Sequence, residues 1–235
     1  MTFDLPFQIT IARELGSGGS YLAQRLARRF GFAYLDHEIL NQAARELETS
    51  DAELAWREER VQGFWARLVQ SFATGCPEDI QSPPPVRLIS DDELLAAENR
   101  ALVKLASRGS CVIVGRCAFY RLKGRAPLFN LFVHADRHYR VQRVMQVYHA
   151  ADPEAAVRMI ERTDSNRRRY VQTICNRSWY DARNYHLSID ISRAGFEKAE
   201  EAIVAMTGHL MEHEAGLTPV ETGGRTGGGG DPCAV

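Results

Sequence analysis

The stretch "ITIARELGSGGSYLAQRLARRF", Ile9 to Phe30, restricts the fold more than any other part of the chain. Gln8 to Ala12 is a short β-favouring run that stops before Gly16, Gly18 and Gly19, with Ser17 and Ser20 interleaved. Leu22, Leu26 and Phe30 then recur at helical spacing, Ala23 and Ala27 lie beside them, and Gly31 supplies a stop. A helix that begins directly after a glycine turn aims its unpaired N–H groups and positive dipole end at one small volume, which suits a phosphate.

Three readings of this turn compete. The lysine-bearing phosphate loop G-x-x-x-x-G-K-[ST] would place its first glycine at Arg13 and its lysine at Gly19, so two fixed positions fail. The dinucleotide pattern G-x-G-x-x-G fits Gly16 and Gly18 but breaks at Tyr21, although Asp36 stands where a ribose-binding acid is expected. A tight strand–helix turn without a ligand is the third. If a phosphate binds, something must replace the lysine's ammonium. Arg13 sits at the strand end and, with arginines arriving from elsewhere, is positioned to do so; a surface pair of Arg13 with Glu14 or Asp36 is the alternative.

Strand and helix signals alternate along the chain. "FAYLD", "CVIVG", "LFNLFVHA" and "HLSIDIS" read as strands, and the continuous apolar runs among them imply burial on both faces. Helices are expected over "DDELLAAENRALVKLAS", from Arg137 to His149, from Asp152-Pro153 to Cys175, and from Gly195 to Glu212. "HEILNQAARELE" and the residues after it are helix-forming, and "TGCPEDIQSPPPVRL" interrupts regular structure. This alternation implies a parallel sheet sandwiched by helices, with ligands beyond the carboxyl ends of its strands.

The 235 residues are 45% hydrophobic with a formal net charge of -1, which argues against a general binder of nucleic acid or membrane surfaces. No apolar run approaches the roughly 18 residues of a spanning helix, and a cytoplasmic location is expected. Five cysteines without a CxxC pair read as reduced thiols, neither a zinc site nor a disulfide framework. Lysines are confined to Lys104, Lys123 and Lys198, so any phosphate site must rely on guanidinium groups. The tail "TGGRTGGGGDPCAV" is glycine-rich and expected to be flexible.

In order, "ITIARELGSGGSYLAQRLARRFGFAYLDHEIL", "CVIVGRCAFY", "FVHADRHYRVQRVM" and "IERTDSNRRRYVQTICNRSWYDARNYHLSIDIS" resemble the cytidylate kinase-like family, a branch of the P-loop nucleoside monophosphate kinases. The resemblance runs from Ile9 to about Gly208. It implies an α/β three-layer sandwich with a five-stranded parallel sheet, a helical monophosphate-binding insert and an arginine-bearing lid. The expected organisation is one domain over residues 1–213, with the insert at 37–90 and the lid at 149–180, followed by a tail at 214–235.

The resemblance also implies ATP, Mg²⁺ and small-molecule nucleotide substrates. Gly16, Ser17, Gly18, Gly19, Ser20 and Tyr21 would hold the donor, with Ser20 on the Mg²⁺ side. Asp36, Arg116 and Asp164 would face the acceptor, and Arg13, Arg162, Arg167 and Arg168 would neutralise the transferred charge. Phosphoryl transfer asks a protein mainly to position groups and compensate charge. Cys117 stands where true cytidylate kinases carry an aspartate, so a CMP- or dCMP-like acceptor is expected beside a non-nucleotide one. A nucleotide-binding module without catalysis and a dinucleotide-dependent oxidoreductase are the rival classes. Arg137, Arg140 and Arg143, like Arg158, Arg169 and Arg177, are expected to lie on solvated helix faces.

Overall fold

The computed structural model describes residues 6–36, 91–125 and 127–216. Five strands, β1 (Gln8–Arg13), β2 (Ala33–Leu35), β3 (Cys111–Val114), β4 (Leu128–His134) and β5 (Leu187–Asp190), form one sheet in the order β2-β3-β1-β4-β5. Every pairing is parallel; Ile9 at the centre stands opposite Val112 on one side and Phe129 on the other.

The apolar strands are covered on both faces, as their unbroken hydrophobicity requires. Val112 and Val114 join Ile9, Ile11, Phe129 and Leu131 in a core closed by Leu22 and Leu26 of α1 (Gly19–Phe30). Their neighbours Cys111 and Ile113 turn the other way, onto Leu102 and Leu105 of α2 (Asp91–Ala106). This is the two-residue alternation of a strand expressed as two separate cores.

Helix boundaries follow local chemistry. Gly31 ends α1 in the left-handed region at φ 68°, its N–H donating back to the Ala27 and Arg28 carbonyls. After β3 come the short α3 (Ala118–Arg121) and, beyond β4, the twelve-residue α4 (Arg137–Tyr148). The Asp152 carboxylate accepts from the Ala155 N–H at 2.6 Å and opens α5 (Pro153–Cys175), with proline in its first turn. A final helical run, α6 (Ile191–Gly216), is broken at Gly195 (φ 70°, ψ 167°). The alternation anticipated all of these but α3 and the 3₁₀ turn Ala182–Asn184. Elements of three or four residues are too short to show a period.

The segment 37–90, with His37, Trp56, Trp65 and Cys76, lies outside the described residues, as does Cys233. Of the tail placed at 214–235, residues 214–216 still belong to the last helical run and the rest is likewise outside. Among the described residues no helix is long and apolar enough to cross a membrane. Because the strands are parallel, the glycine turn after β1, Asp36 after β2 and Gly115 after β3 all fall on one edge of the sheet.

One buried polar pair ties the central strand to its neighbour. Thr10 Oγ1 donates to Asn130 Oδ1 at 2.7 Å, where the two residues stand opposite each other in β1 and β4. Thr10→Val keeps the shape but leaves the amide oxygen without its donor, a loss of about 1–3 kcal/mol. Urea unfolding measures it; an unchanged midpoint contradicts this account of the pair.

Candidate functional site

The turn from Glu14 to Gly18 is shaped by what surrounds it. Gly16 and Gly18 both sit in the left-handed region at φ 78°. A Cβ on Gly16 would lie 2.7 Å from the Arg140 carbonyl oxygen, and one on Gly18 would lie 2.7 Å from Cε1 of Phe196. Gly18 occupies the N-cap of α1 with no side chain capping the helix, and the first turn holds no acid. Such a helix start is suited to an anion.

Ser17 is fully buried, and its hydroxyl donates to the Glu14 carbonyl at 2.8 Å, closing the turn from within. Ser20 is half-buried at the second position of α1. Tyr21 is 41% exposed and meets Phe196 edge-on, ring centroids 4.9 Å apart.

Arg13 explains the missing lysine in steric terms. A Cβ on Gly19 would collide with Arg13 Cβ and lie 2.9 Å from its Cγ. The side chain therefore crosses the place where a lysine stem would start. It continues to Gly115 at the end of β3, where an added Cβ would meet Nη1 at 2.8 Å. Its Nε is buried without a hydrogen-bond partner, and Arg13 has no ion pair among the described residues. Glu14, the partner a surface reading offered, pairs instead with Arg140.

Helix α5 is clamped against this turn by charge. Ala156, Ile160, Asp164 and Val171 are buried, and the spacing that aligns them also turns Arg167 inward. Asp164 Oδ1 accepts from the Leu15 N–H at 2.9 Å and faces Arg167 Nη1 at 3.5 Å, while Oδ2 holds Arg140. Arg140, 8% exposed, also donates from Nε to the Leu15 carbonyl at 2.8 Å and pairs through Nη1 with Glu14 at 3.1 Å. Arg167 Nη1 donates to the Arg13 carbonyl at 2.9 Å.

Three guanidinium groups, those of Arg13, Arg140 and Arg167, thus lie at a turn with two carboxylates, and Glu14 and Asp164 pair with Arg140 and Arg167. Burial, with the Arg13 guanidinium beside it, lowers Arg167 from the ordinary arginine range, while Asp164 pulls the other way. An anion beside Arg13 and Arg167 would relieve this excess of positive charge.

The other half of the site is the end of β3. Gly115, Arg116 and Cys117 are consecutive residues at φ 80°, 56° and 53°. Two of them carry side chains, a conformation that costs roughly 1–2 kcal/mol per residue. The bend sends Arg116 to Glu98 of α2, Nη2 to Oε1 at 2.8 Å, with its guanidinium 5.6 Å above the Tyr170 ring. Glu98 is almost fully buried, and burial raises its pKa against the lowering effect of Arg116. Cys117 turns inward among Phe119, Trp179 and Val171. Asp36 follows β2 on the same edge and is half-buried.

Of the arginines singled out by sequence, Arg13 and Arg167 come together at the turn and Arg116 lies at the neighbouring strand end, while Arg162 and Arg168 are exposed on α5. Two expectations are corrected. Arg140 is buried in the clamp, and Arg143 lies 5.2 Å from the Phe196 ring and 5.8 Å from that of Tyr21, beside Gly18. Their spacing matched an exposed helix face because their partners, Glu14, Tyr21 and Phe196, come from distant parts of the chain. Glu98 gave no sequence signal either, and Tyr170 stood within a stretch that carries the resemblance without a role of its own.

The residues present fit a nucleotide's phosphates: a bare helix start, a buried guanidinium Nε without a partner and excess positive charge. Among the described residues no group of three or more His, Cys, Asp or Glu side chains could hold a metal. A Mg²⁺ here would be held by phosphate oxygens and the Ser20 hydroxyl, in keeping with its sparse use of protein ligands.

The family model described as "Cytidylate kinase-like family" matches residues 8–193, and the chain belongs to that family. Its fold is shared with an uncharacterized protein from Eubacterium ventriosum, 22% identical, with 86% of this chain and 98% of that one covered at a TM-score of 0.63. A gluconokinase from Sinorhizobium meliloti aligns at 16% identity over 89% of this chain and 96% of that one, TM-score 0.48. A shikimate kinase from Acinetobacter baumannii in complex with shikimate aligns at 14% identity over 88% and 94%, TM-score 0.44. No curated protein matches the chain.

The clamp makes a direct stability prediction. Asp164→Ala leaves the buried Arg140 with Glu14 as its remaining carboxylate and the Leu15 N–H without its acceptor, so unfolding free energy falls by about 2–3 kcal/mol. Urea denaturation tests this; a loss below about 1 kcal/mol, typical of an exposed pair, rejects the clamp.

Proposed function

From membership of the cytidylate kinase-like family, we propose that this chain transfers the terminal phosphoryl group of ATP, with Mg²⁺, to a nucleoside monophosphate of the CMP or dCMP kind. The observation that carries the reading is the course of Arg13, which runs from Gly19 to Gly115 and so spans the donor and acceptor sides of the sheet edge. A charge at that point neutralises the group in transit, the main demand of this chemistry.

In this scheme the backbone N–H groups of the turn, with Gly16, Gly18 and Gly19, cradle the donor phosphates. Ser20 serves the metal, and Arg13 with Arg167 replaces the ammonium. Tyr21, Phe196 and Arg143 wall the turn on one side. Arg116, oriented by Glu98 and Tyr170, and Asp36 receive the acceptor. Asp164 acts through the turn it holds. Arg162 and Arg168 contribute only when residues 149–180 move inward as a lid, which also excludes water.

One observation favours a second acceptor class. Cys117 is buried in an apolar cluster, so no side chain at that position reads a cytosine. The carboxylate at this strand end comes from Glu98, which is committed to Arg116. A non-nucleotide hydroxyl or phosphate acceptor fits the same geometry.

A coupled ADP-release assay over the common nucleoside monophosphates tests the reading. Mg²⁺-dependent turnover with CMP or dCMP is expected, and Arg13→Ala lowers kcat/KM about a hundredfold. Turnover with none of the acceptors, despite ATP binding, would favour a binding module; absence of ATP binding overturns both. A sharper check follows from the steric exclusion at the turn. Gly19→Lys alone destabilises the chain and abolishes turnover, whereas Gly19→Lys with Arg13→Gly restores the lysine-bearing pattern and recovers part of it. Equal behaviour of the two variants contradicts the replacement of lysine by Arg13.

A further inference from the structure

Cys117 and Cys175 are 58 residues apart in sequence but share one cluster. Cys117 follows the left-handed bend at the end of β3, and Cys175 is the last residue of α5. Cys117 belongs to the cluster of Phe119, Val171 and Trp179, Cys175 packs against that cluster, and the Cys175 thiol lies close enough to add to the effect of burial in holding the Cys117 thiol up. Both are free thiols. Their exposure differs: Cys117 is 3% exposed, whereas Cys175 is half-buried, its thiol donating to the Val171 carbonyl at 3.1 Å.

We propose that Cys117 and Cys175 form a two-thiol oxidation site which a peroxide converts to a disulfide, fastening the end of α5 to the strand end that carries Arg116. The order of events follows from exposure. The Cys175 sulfur attacks one oxygen of the peroxide and the O–O bond breaks, giving a sulfenic acid and, from hydrogen peroxide, one water. The Cys117 sulfur then attacks the Cys175 sulfur, its thiol proton leaves with the departing hydroxide as a second water, and the S–S bond forms. Two thiols are oxidised by two electrons in all, and one peroxide is reduced.

Burial pushes the Cys117 thiol up to about 12, which keeps it from reacting with solutes directly; Arg121 and Arg116 lie close enough to favour the thiolate as it forms. Among the described residues, the thiol that shares its cluster is that of Cys175. The consequence for function rests on the kinase reading. Arg116 and Tyr170 meet between these two elements, so a covalent tie there restrains the helix that carries Arg167 and Arg168.

The test uses the full chain with Cys76→Ser and Cys233→Ser, treated folded with hydrogen peroxide. Peptide mass mapping is expected to show residues 117 and 175 joined with the loss of two hydrogens, reversed by dithiothreitol and absent in the further variant Cys175→Ser. Phosphoryl transfer, where the reduced chain shows it, is expected to fall at least about fivefold and to return on reduction. Oxidation of Cys175 to sulfinic acid without the link, or a link that forms only in urea, overturns the site. A link with unchanged turnover overturns its effect on the lid. If the link forms in a chain that has no kinase activity when reduced, the oxidation site stands and the kinase reading fails.

Discussion

Everything at the sheet edge depends on one steric fact: Arg13 and a side chain at position 19 cannot occupy the same space. The first turn of α1 lies so close to the end of β1 that a Cβ on Gly19 would strike the Arg13 stem. A phosphate loop that carries lysine solves the charge problem from the helix side and needs a glycine where Arg13 stands. On the proposed reading this chain solves it from the strand side, and the Arg13 stem needs a glycine at position 19, where the lysine would stand. The two solutions are alternatives in one volume, which is why both positions depart from the lysine-bearing pattern together.

A guanidinium delivered from a strand end is less free than an ammonium on a flexible stem. It presents a planar fork and suits bidentate contact with phosphate oxygens. It also needs its backbone fixed. That is supplied by α5, whose Arg167 takes the Arg13 carbonyl and whose Asp164 takes the Leu15 N–H, with Arg140 of α4 bridging Glu14, Leu15 and Asp164. In a site so largely buried, the carboxylates keep the arginines from repelling α5 off the turn. The positive charge left over faces the place a phosphate would take.

The layered α/β fold was legible in the sequence because its signals are local: the unbroken apolar run of β3, a glycine stop after α1, and the Asp152-Pro153 start of α5. The glycine turn, Arg13 and Arg167 were also legible, the first two from position and the third from the resemblance. Arg140 and Asp164 were not read as a pair, because nothing in a sequence shows that residues 24 apart lie side by side on neighbouring helices. The stripe Ala156, Ile160, Asp164, Val171 reads as amphipathic only once a carboxylate is admitted to its buried face. Glu98 was invisible for a related reason: an acid in a mixed helix becomes informative only when burial and its Arg116 partner are known.

The end of β3 completes the picture by showing where strain is retained. Residues 116 and 117 keep left-handed backbone without being glycine, a cost that packing on both sides has to offset. The bend has two effects at once: it lifts Arg116 toward Glu98 and Tyr170, and it drops Cys117 into the core against Phe119 and Trp179. An extended continuation of the strand would send successive side chains to opposite faces and carry Arg116 away from the turn. The carboxylate that accompanies the arginine therefore has to come from another element, and α2 provides it. With the acid at position 98, the arginine is held while the next residue, Cys117, packs in an apolar cluster. On the proposed reading, Arg116 and Asp36 would admit an acceptor by its charge and its distance from Arg13, and the buried Cys117 would take no part in reading a base.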